Sequence, residues 1–217
     1  MAALRRIAVL ISGRGSNLAA LLAAEAAGQL SGSIVLVISN RGDAPGLAIA
    51  HAHGVATAVI DHGRRDRASF DTDLAAAIER NACDLVVLAG FMRILTAAFV
   101  QRYAGRLINI HPSLLPTFAG LHTHRRALAE GVRIHGCTVH FVTADLDHGP
   151  IIGQGAVPVL PGDDESRLAR RVLEVEHQVL PAAVRAWCED RLVIDNGRVR
   201  VLGEVTSDGV LAAPLFR

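Results

Sequence analysis

Ile7-Ala8-Val9-Leu10-Ile11-Ser12-Gly13-Arg14-Gly15-Ser16-Asn17-Leu18 reads as an apolar run, a turn built on two glycines and the opening of an Ala/Leu-rich stretch. A short run with no polar alternation, stopped by a turn, is the pattern of a strand covered on both faces, and the stretch after it has helical composition. Strand, glycine turn and helix form the unit from which parallel sheets are built. The unit recurs along the chain. Strands are expected over residues 6–12, 34–39, 57–60, 85–88 and 107–110, and helices over 17–27, 45–53, 67–81 and 97–103. This alternation predicts an α/β fold with a mostly parallel twisted sheet and helices on both faces.

After His111 the rhythm changes. Residues 137–142 and 151–159 look like strands with no full helix between them, so an antiparallel or mixed edge is expected. A short helix near 124–130 precedes them. Asp163 or Asp164 can cap a long helix reaching about residue 190, with Leu168, Val172, Val175, Val179 and Val184 at helical spacing. Residues 192–201 suggest a hairpin, and the last dozen residues look loosely structured. No repeat or Pro/Ser-rich linker interrupts the chain, which points to one domain over residues 1–217 with its core at about 5–190.

The 217 residues are 51% hydrophobic, enough for a sizeable core, and 22 Lys and Arg nearly balance 21 Asp and Glu. A net charge of +1 provides no broad field for nucleic acid or an anionic membrane, so an anionic ligand must be held locally. Cys83, Cys137 and Cys188 are odd in number and widely spaced, as expected of reduced core thiols. The first apolar run is too short for a signal segment, and no run approaches a membrane span. A cytoplasmic enzyme or binding protein is the starting class.

Ligands of open parallel sheets lie beyond the carboxyl ends of the strands. At the first such end, the Gly13–Gly15 turn can bring backbone N–H groups and the positive end of a helix against an anion. Leu18 stands where a dinucleotide motif has its third glycine, and no Gly-Lys-Ser/Thr follows, so a phosphate fits better than a dinucleotide. Ser16 or Asn17 could equally serve as a plain helix cap.

At another strand end stands Asn109-Ile110-His111-Pro112-Ser113-Leu114-Leu115-Pro116. Period two places Asn109 and His111 on one face, and Pro112 stops the ladder there. An amide beside an imidazole can stabilise a developing oxyanion and exchange a proton near neutral pH, the two services acyl transfer needs. A carboxylate to orient the histidine is available at Asp147, in Asp145-Leu146-Asp147-His148-Gly149-Pro150; on its own, Asp147 fits an Asx turn equally well. His122, His124, His135 and His140 match no metal-ligand spacing, and His124 and His140 are expected in hydrogen-bond networks around the site.

Asn-x-His followed by Ser-Leu-Leu-Pro, with a later Asp-x-Gly-Pro, resembles the folate-dependent formyltransferase family. The resemblance covers roughly the first 190 residues. Ser12–Asn17, Ala89-Gly90-Phe91-Met92-Arg93-Ile94-Leu95 and Gly120-Leu121-His122-Thr123-His124 are similar to its glycinamide ribonucleotide branch. That resemblance implies the formyltransferase fold and transfer of a formyl group from 10-formyltetrahydrofolate, a co-substrate, to glycinamide ribonucleotide in purine synthesis, without a metal. It implies catalytic roles for Asn109, His111 and Asp147, a substrate site at Gly15, Ser16, Asn17 and Glu176, and a folate site at Arg67, Met92, Arg93, Ile94, Leu95, Asn109, Thr143, Ala144, Asp145, Leu146 and Asp147.

Arg14 within the turn, Ala119 in place of a frequent proline and His148 in the variable Asp-x-Gly-Pro position depart from the family pattern without removing a catalytic group. The residues after about Leu202 carry no functional expectation. Hydrolysis of the formylfolate and formylation of a charged tRNA are disfavoured, because the extra regulatory or basic tRNA-binding domain of those relatives is not expected here. No nucleic-acid or membrane partner is expected, and a homodimer is left open.

Overall fold

The computed structural model describes residues 4–61, 63 and 65–203. The expectations of a loose tail after Leu202 and of one domain reaching residue 217 extend beyond these residues. In chain order the elements are β1 (Arg5–Ile11), α1 (Ser16–Ala26), β2 (Gly32–Ser39), α2 (Gly46–Ala52), β3 (Ala56–Val59), α3 (Arg67–Arg80), β4 (Leu85–Leu88) and α4 (Ala97–Arg102). They continue with β5 (Leu107–His111), α5 (Thr123–Ala129), β6 (Ile134–Phe141), β7 (Ile151–Pro158), α6 (Glu165–Cys188), β8 (Leu192–Asp195) and β9 (Arg198–Val201).

Seven strands form one sheet in the order β3-β2-β1-β4-β5-β6-β7, and β8 pairs with β9 in a separate hairpin. The pairs from β3 to β5 are parallel, whereas β5–β6 and β6–β7 are antiparallel. The mixed edge expected after His111 is therefore present. β1 lies centrally because every residue from Ile7 to Ile11 is shielded on both faces. Ile7, Val9 and Ile11 join one core with Leu18, Leu21 and Leu22 of α1 and Leu168, Val172 and Leu180 of α6. Ala8 and Leu10, pointing the other way, join Phe70, Leu74 and Ile78 of α3, Phe99 of α4 and Tyr103, which follows α4. Each such large apolar side chain withdrawn from water contributes about 1.5–3 kcal/mol.

Two local differences from the sequence reading have physical causes. β6 begins at Ile134, earlier than the expected residue 137, because Ile134, His135 and Gly136 pair with Pro158, Val157 and Ala156; a buried histidine and a glycine conceal a strand from hydropathy. Of the two candidate caps of α6, Asp164 accepts from the Arg167 N–H at 2.7 Å. Asp163 instead accepts from Leu160 N and holds Arg171 through both carboxylate oxygens, a pairing that depresses its carboxyl to about 2.

β1 and β4 are neighbours, but their outgoing chains part: one crosses towards β2, the other towards β5. A crevice at the carboxyl ends is the consequence of such a switch in strand order. Ser12 spans it, its Oγ accepting from Met92 N at 2.7 Å and its own N–H donating to the Gly90 carbonyl at 3.2 Å.

Candidate active site

The turn after β1 places Gly15, Ser16 and Asn17 at the start of α1. Neither Ser16 nor Asn17 caps the helix: the cap position is Gly15 at φ 77°, with no side-chain hydrogen bond. The first amides of α1 are thus left for water or an anion. Asn17 turns inward, and its Nδ2 donates to Glu176 Oε2 at 2.7 Å, tying α1 to α6 beside the turn. Burial pushes the Glu176 carboxyl above its ordinary range, and the Asn17 bond opposes that shift. Asn17 Oδ1 is also buried and, among the described residues, has no hydrogen-bond partner.

Gly15 also has a packing purpose. A Cβ at Gly15 would come within 2.6 Å of Gly46 Cα, while Gly46 N donates to the Gly13 carbonyl at 3.0 Å. The missing side chain lets the turn rest on the start of α2.

Across the crevice, β5 ends in Asn109 and His111, and the antiparallel register sets Asn109 opposite His140. The Asp147 loop returns over them. Its backbone is left-handed at Asp147, φ 55°, and a Cβ at Gly149 would overlap the Phe141 carbonyl, so Asp-x-Gly-Pro is packed too closely for a larger residue. Asp147 Oδ2 comes to 3.4 Å from His111 Nδ1 and accepts from Gly120 N at 2.8 Å, and both side chains are nearly buried. The Asx-turn alternative thus gives way to a carboxylate facing the histidine. His111 Nε2 donates to the Phe118 carbonyl at 3.0 Å, so both ring nitrogens face oxygen atoms.

His140 completes the group. Its Nδ1 donates to the Phe141 carbonyl at 2.9 Å, and its Nε2 faces Asn109 Nδ2 at 3.1 Å and Asp147 Oδ1 at 3.9 Å. Burial pushes this imidazole below its ordinary value, outweighing the Phe141 carbonyl and Asp147, which pull the other way. His124 and His135 stack edge to face at 5.3 Å, and burial lowers both, His135 to about 4.

Residues 5–184 match the Formyl transferase family model. The chain belongs to that family. Phosphoribosylglycinamide formyltransferase of Escherichia coli strain K12 is 49% identical over 187 residues, which are 86% of this chain and 88% of that one. The crystal structure of glycinamide ribonucleotide transformylase 1 from Symbiobacterium toebii superposes with a TM-score of 0.91 at 47% identity, over 94% of this chain and 96% of that one. A formyltetrahydrofolate deformylase from Pseudomonas syringae pv. tomato also shares the fold, with a TM-score of 0.88 at 31% identity over 93% of this chain and 67% of that one.

The remaining expected residues differ in their surroundings. Met92 and Ile94 are 69% and 52% exposed, so they are open to a ligand, whereas Leu95 packs partly into the core. Arg93 lies over the Phe70 ring at 4.3 Å, and Asp71 accepts from Thr96 N at 2.7 Å, which fixes the segment to α3. Arg67 opens α3 at the surface, one turn before Phe70 and Asp71. Ala144, Asp145 and Leu146 are exposed, and Thr143 Oγ1 donates to the Asp145 carbonyl at 3.2 Å.

Sequence reasoning did not find the Phe118 carbonyl or the Gly120 amide at His111 and Asp147, because backbone groups leave no residue-type signal. Cys83, Cys137 and Cys188 are buried free thiols, raised by burial to about 11, 12 and 12. Among the described residues, no group of His, Cys, Asp or Glu is arranged to hold a metal ion, and no helix is long and apolar enough to cross a membrane.

Proposed function

We propose that this formyltransferase moves the formyl group of 10-formyltetrahydrofolate to the amine of glycinamide ribonucleotide, the purine-synthesis reaction of the E. coli relative. The observation that carries the reading is the His111–Asp147 contact of 3.4 Å at the strand end that also bears Asn109.

The amine attacks the formyl carbon, and the carbonyl oxygen gains negative charge as the new C–N bond forms. Asn109 offers an uncharged N–H to that oxygen, and the His111 imidazolium offers a charged one. The Phe118 carbonyl occupies the Nε2 proton, so the exchangeable proton is on Nδ1, next to Asp147. Asp147 stands beside that nitrogen and orients the ring. Collapse of the intermediate expels the folate N10, which takes a proton as the amine nitrogen loses one.

The open amides of Gly15, Ser16 and Asn17 suit the substrate phosphate, and Glu176 suits its ribose or amine end. The folate is assigned to the opposite wall, with the pterin along Met92, Arg93, Ile94 and Leu95 and beside Asn109 and the loop of Thr143, Ala144, Asp145, Leu146 and Asp147. Arg67 is assigned to the carboxylate end of the folate. A cytoplasmic location follows from this reading, and sedimentation at assay concentration decides whether the enzyme is a homodimer.

The likeness to a deformylase supports a second reading, in which water replaces the amine. Incubation with 10-formyltetrahydrofolate with and without glycinamide ribonucleotide separates the two. Formyl transfer that requires the amine supports the first reading, and formate release without it supports the second.

A further inference from the structure

We infer that His140 is a positioning residue for the transfer step, a fixed hydrogen-bond acceptor that aims the Asn109 amide. The Phe141 carbonyl can only accept, so the 2.9 Å contact puts the ring proton of His140 on Nδ1. In the neutral ring Nε2 then has only a lone pair, and of the two ends of the Asn109 amide only the nitrogen can satisfy it at 3.1 Å. One N–H of Asn109 is thereby fixed in the protein and the other is left for the reacting oxygen. A free amide could equally present its own oxygen, which would repel an oxyanion.

The ring is shielded, 2% exposed, and burial favours its neutral form. The titratable groups facing it are Asp147, with Oδ1 at 3.9 Å, and His111. Across the strands it meets Asn109 on one side and Ile151 on the other, neither of which carries charge. Were His140 protonated, its Nε2–H would face the Asn109 N–H, donor against donor, and would compete with His111 for Asp147.

This inference rests on Asn109 being an oxyanion donor, which Asn109→Ala tests by itself. Two substitutions distinguish aiming from mere packing. Glutamine places a polar atom where Nε2 stands and can accept from Asn109, whereas asparagine matches Nδ1 and keeps only the bond to Phe141. His140→Gln should stay within about threefold of wild-type kcat and His140→Asn should lose about tenfold or more, with both Michaelis constants little changed, since loss of a whole oxyanion donor costs about a hundred- to a thousandfold. In an Asn109→Ala background, His140→Asn should cost almost nothing further. Nitrogen NMR of the wild-type enzyme near pH 7 should show His140 protonated at Nδ1 and bare at Nε2, a readout independent of variant folding. A proton on Nε2, equal losses in the glutamine and asparagine variants, or an undiminished loss in the Asn109→Ala background each overturns the inference.

Discussion

His111 Nδ1 stands 3.4 Å from Asp147 Oδ2, and a backbone hydrogen bond fixes the direction of each partner: Phe118 O for the ring and Gly120 N for the carboxylate. A pair clamped in this way acts as one unit. His111→Ala removes the proposed proton donor, and Asp147→Asn keeps the volume but removes the negative charge that faces the ring. Each should lower kcat about a hundred- to a thousandfold with smaller changes in the Michaelis constants. The double variant should be scarcely slower than the worse single one, because the second substitution acts on a unit already broken. Steady-state kinetics on the folded variants checks this, and losses that simply multiply would reject the coupling.

Glu176 allows stability and the proposed substrate binding to be tested together. Burial raises its carboxyl above the ordinary 4.5, so the native state binds that proton more tightly than the unfolded chain, and the charged form weakens the fold near neutral pH. Glu176→Gln can keep the acceptor for Asn17 and abolish the buried charge. Its Tm should exceed wild type near pH 7, and the gain should fade as pH falls through the raised value towards 4.5. The Michaelis constant for glycinamide ribonucleotide should rise about tenfold or more, the scale of one hydrogen bond to a charged group. A variant no more stable at pH 7, or one with unchanged substrate affinity, would contradict one or other half of this account.

His135 gives the opposite pH dependence. Its folded value of about 4 lies below the ordinary 6.5, because burial disfavours the charged ring. Between these values the unfolded chain binds more protons, so stability is complete above 6.5 and declines as pH falls towards 4. The decline from pH 7 to pH 5 from this residue is about 2 kcal/mol. His135→Asn, which cannot titrate, should show a clearly flatter dependence in urea unfolding at the two pH values. Identical slopes for variant and wild type would remove His135 from the acid response.

How far this site could be read in advance depended on the kind of group involved. Apolar runs announced all five parallel strands, four of which are largely buried, and period two placed Asn109 and His111 together. The approach of Asp147 to His111 was not derivable, since it depends on a left-handed residue and a glycine packed against Phe141, a tertiary contact. The Asn109–His140 pair was legible in part: once β5 and β6 are known to be antiparallel, register alone sets them opposite. His135 hid the start of β6 for the reverse reason, a polar residue taken into the core by the fold.

Gly15 and Gly46 provide a test of why the first turn is glycine-rich. A Cβ at Gly15 would stand 2.6 Å from Gly46 Cα, and at φ 77° any L side chain is strained; a Cβ at Gly46 would meet Ile11 Cδ1 at 2.6 Å and Gly15 Cα at 3.0 Å. Both glycines therefore maintain one contact, from opposite sides. Gly15→Ala should lower stability by about 1 kcal/mol or more, as alanine does at positive φ. Because the open amides of α1 follow directly, the same variant should raise the Michaelis constant for glycinamide ribonucleotide and leave that for the folate nearly unchanged. Gly46→Ala, which lies on α2, should produce the same selective loss if the turn's shape is what matters. Thermal unfolding and the two Michaelis constants, measured for both variants, decide the matter. A substrate defect confined to Gly15→Ala would instead mean that the ligand itself lies against Gly15, and packing on α2 would no longer explain the glycine.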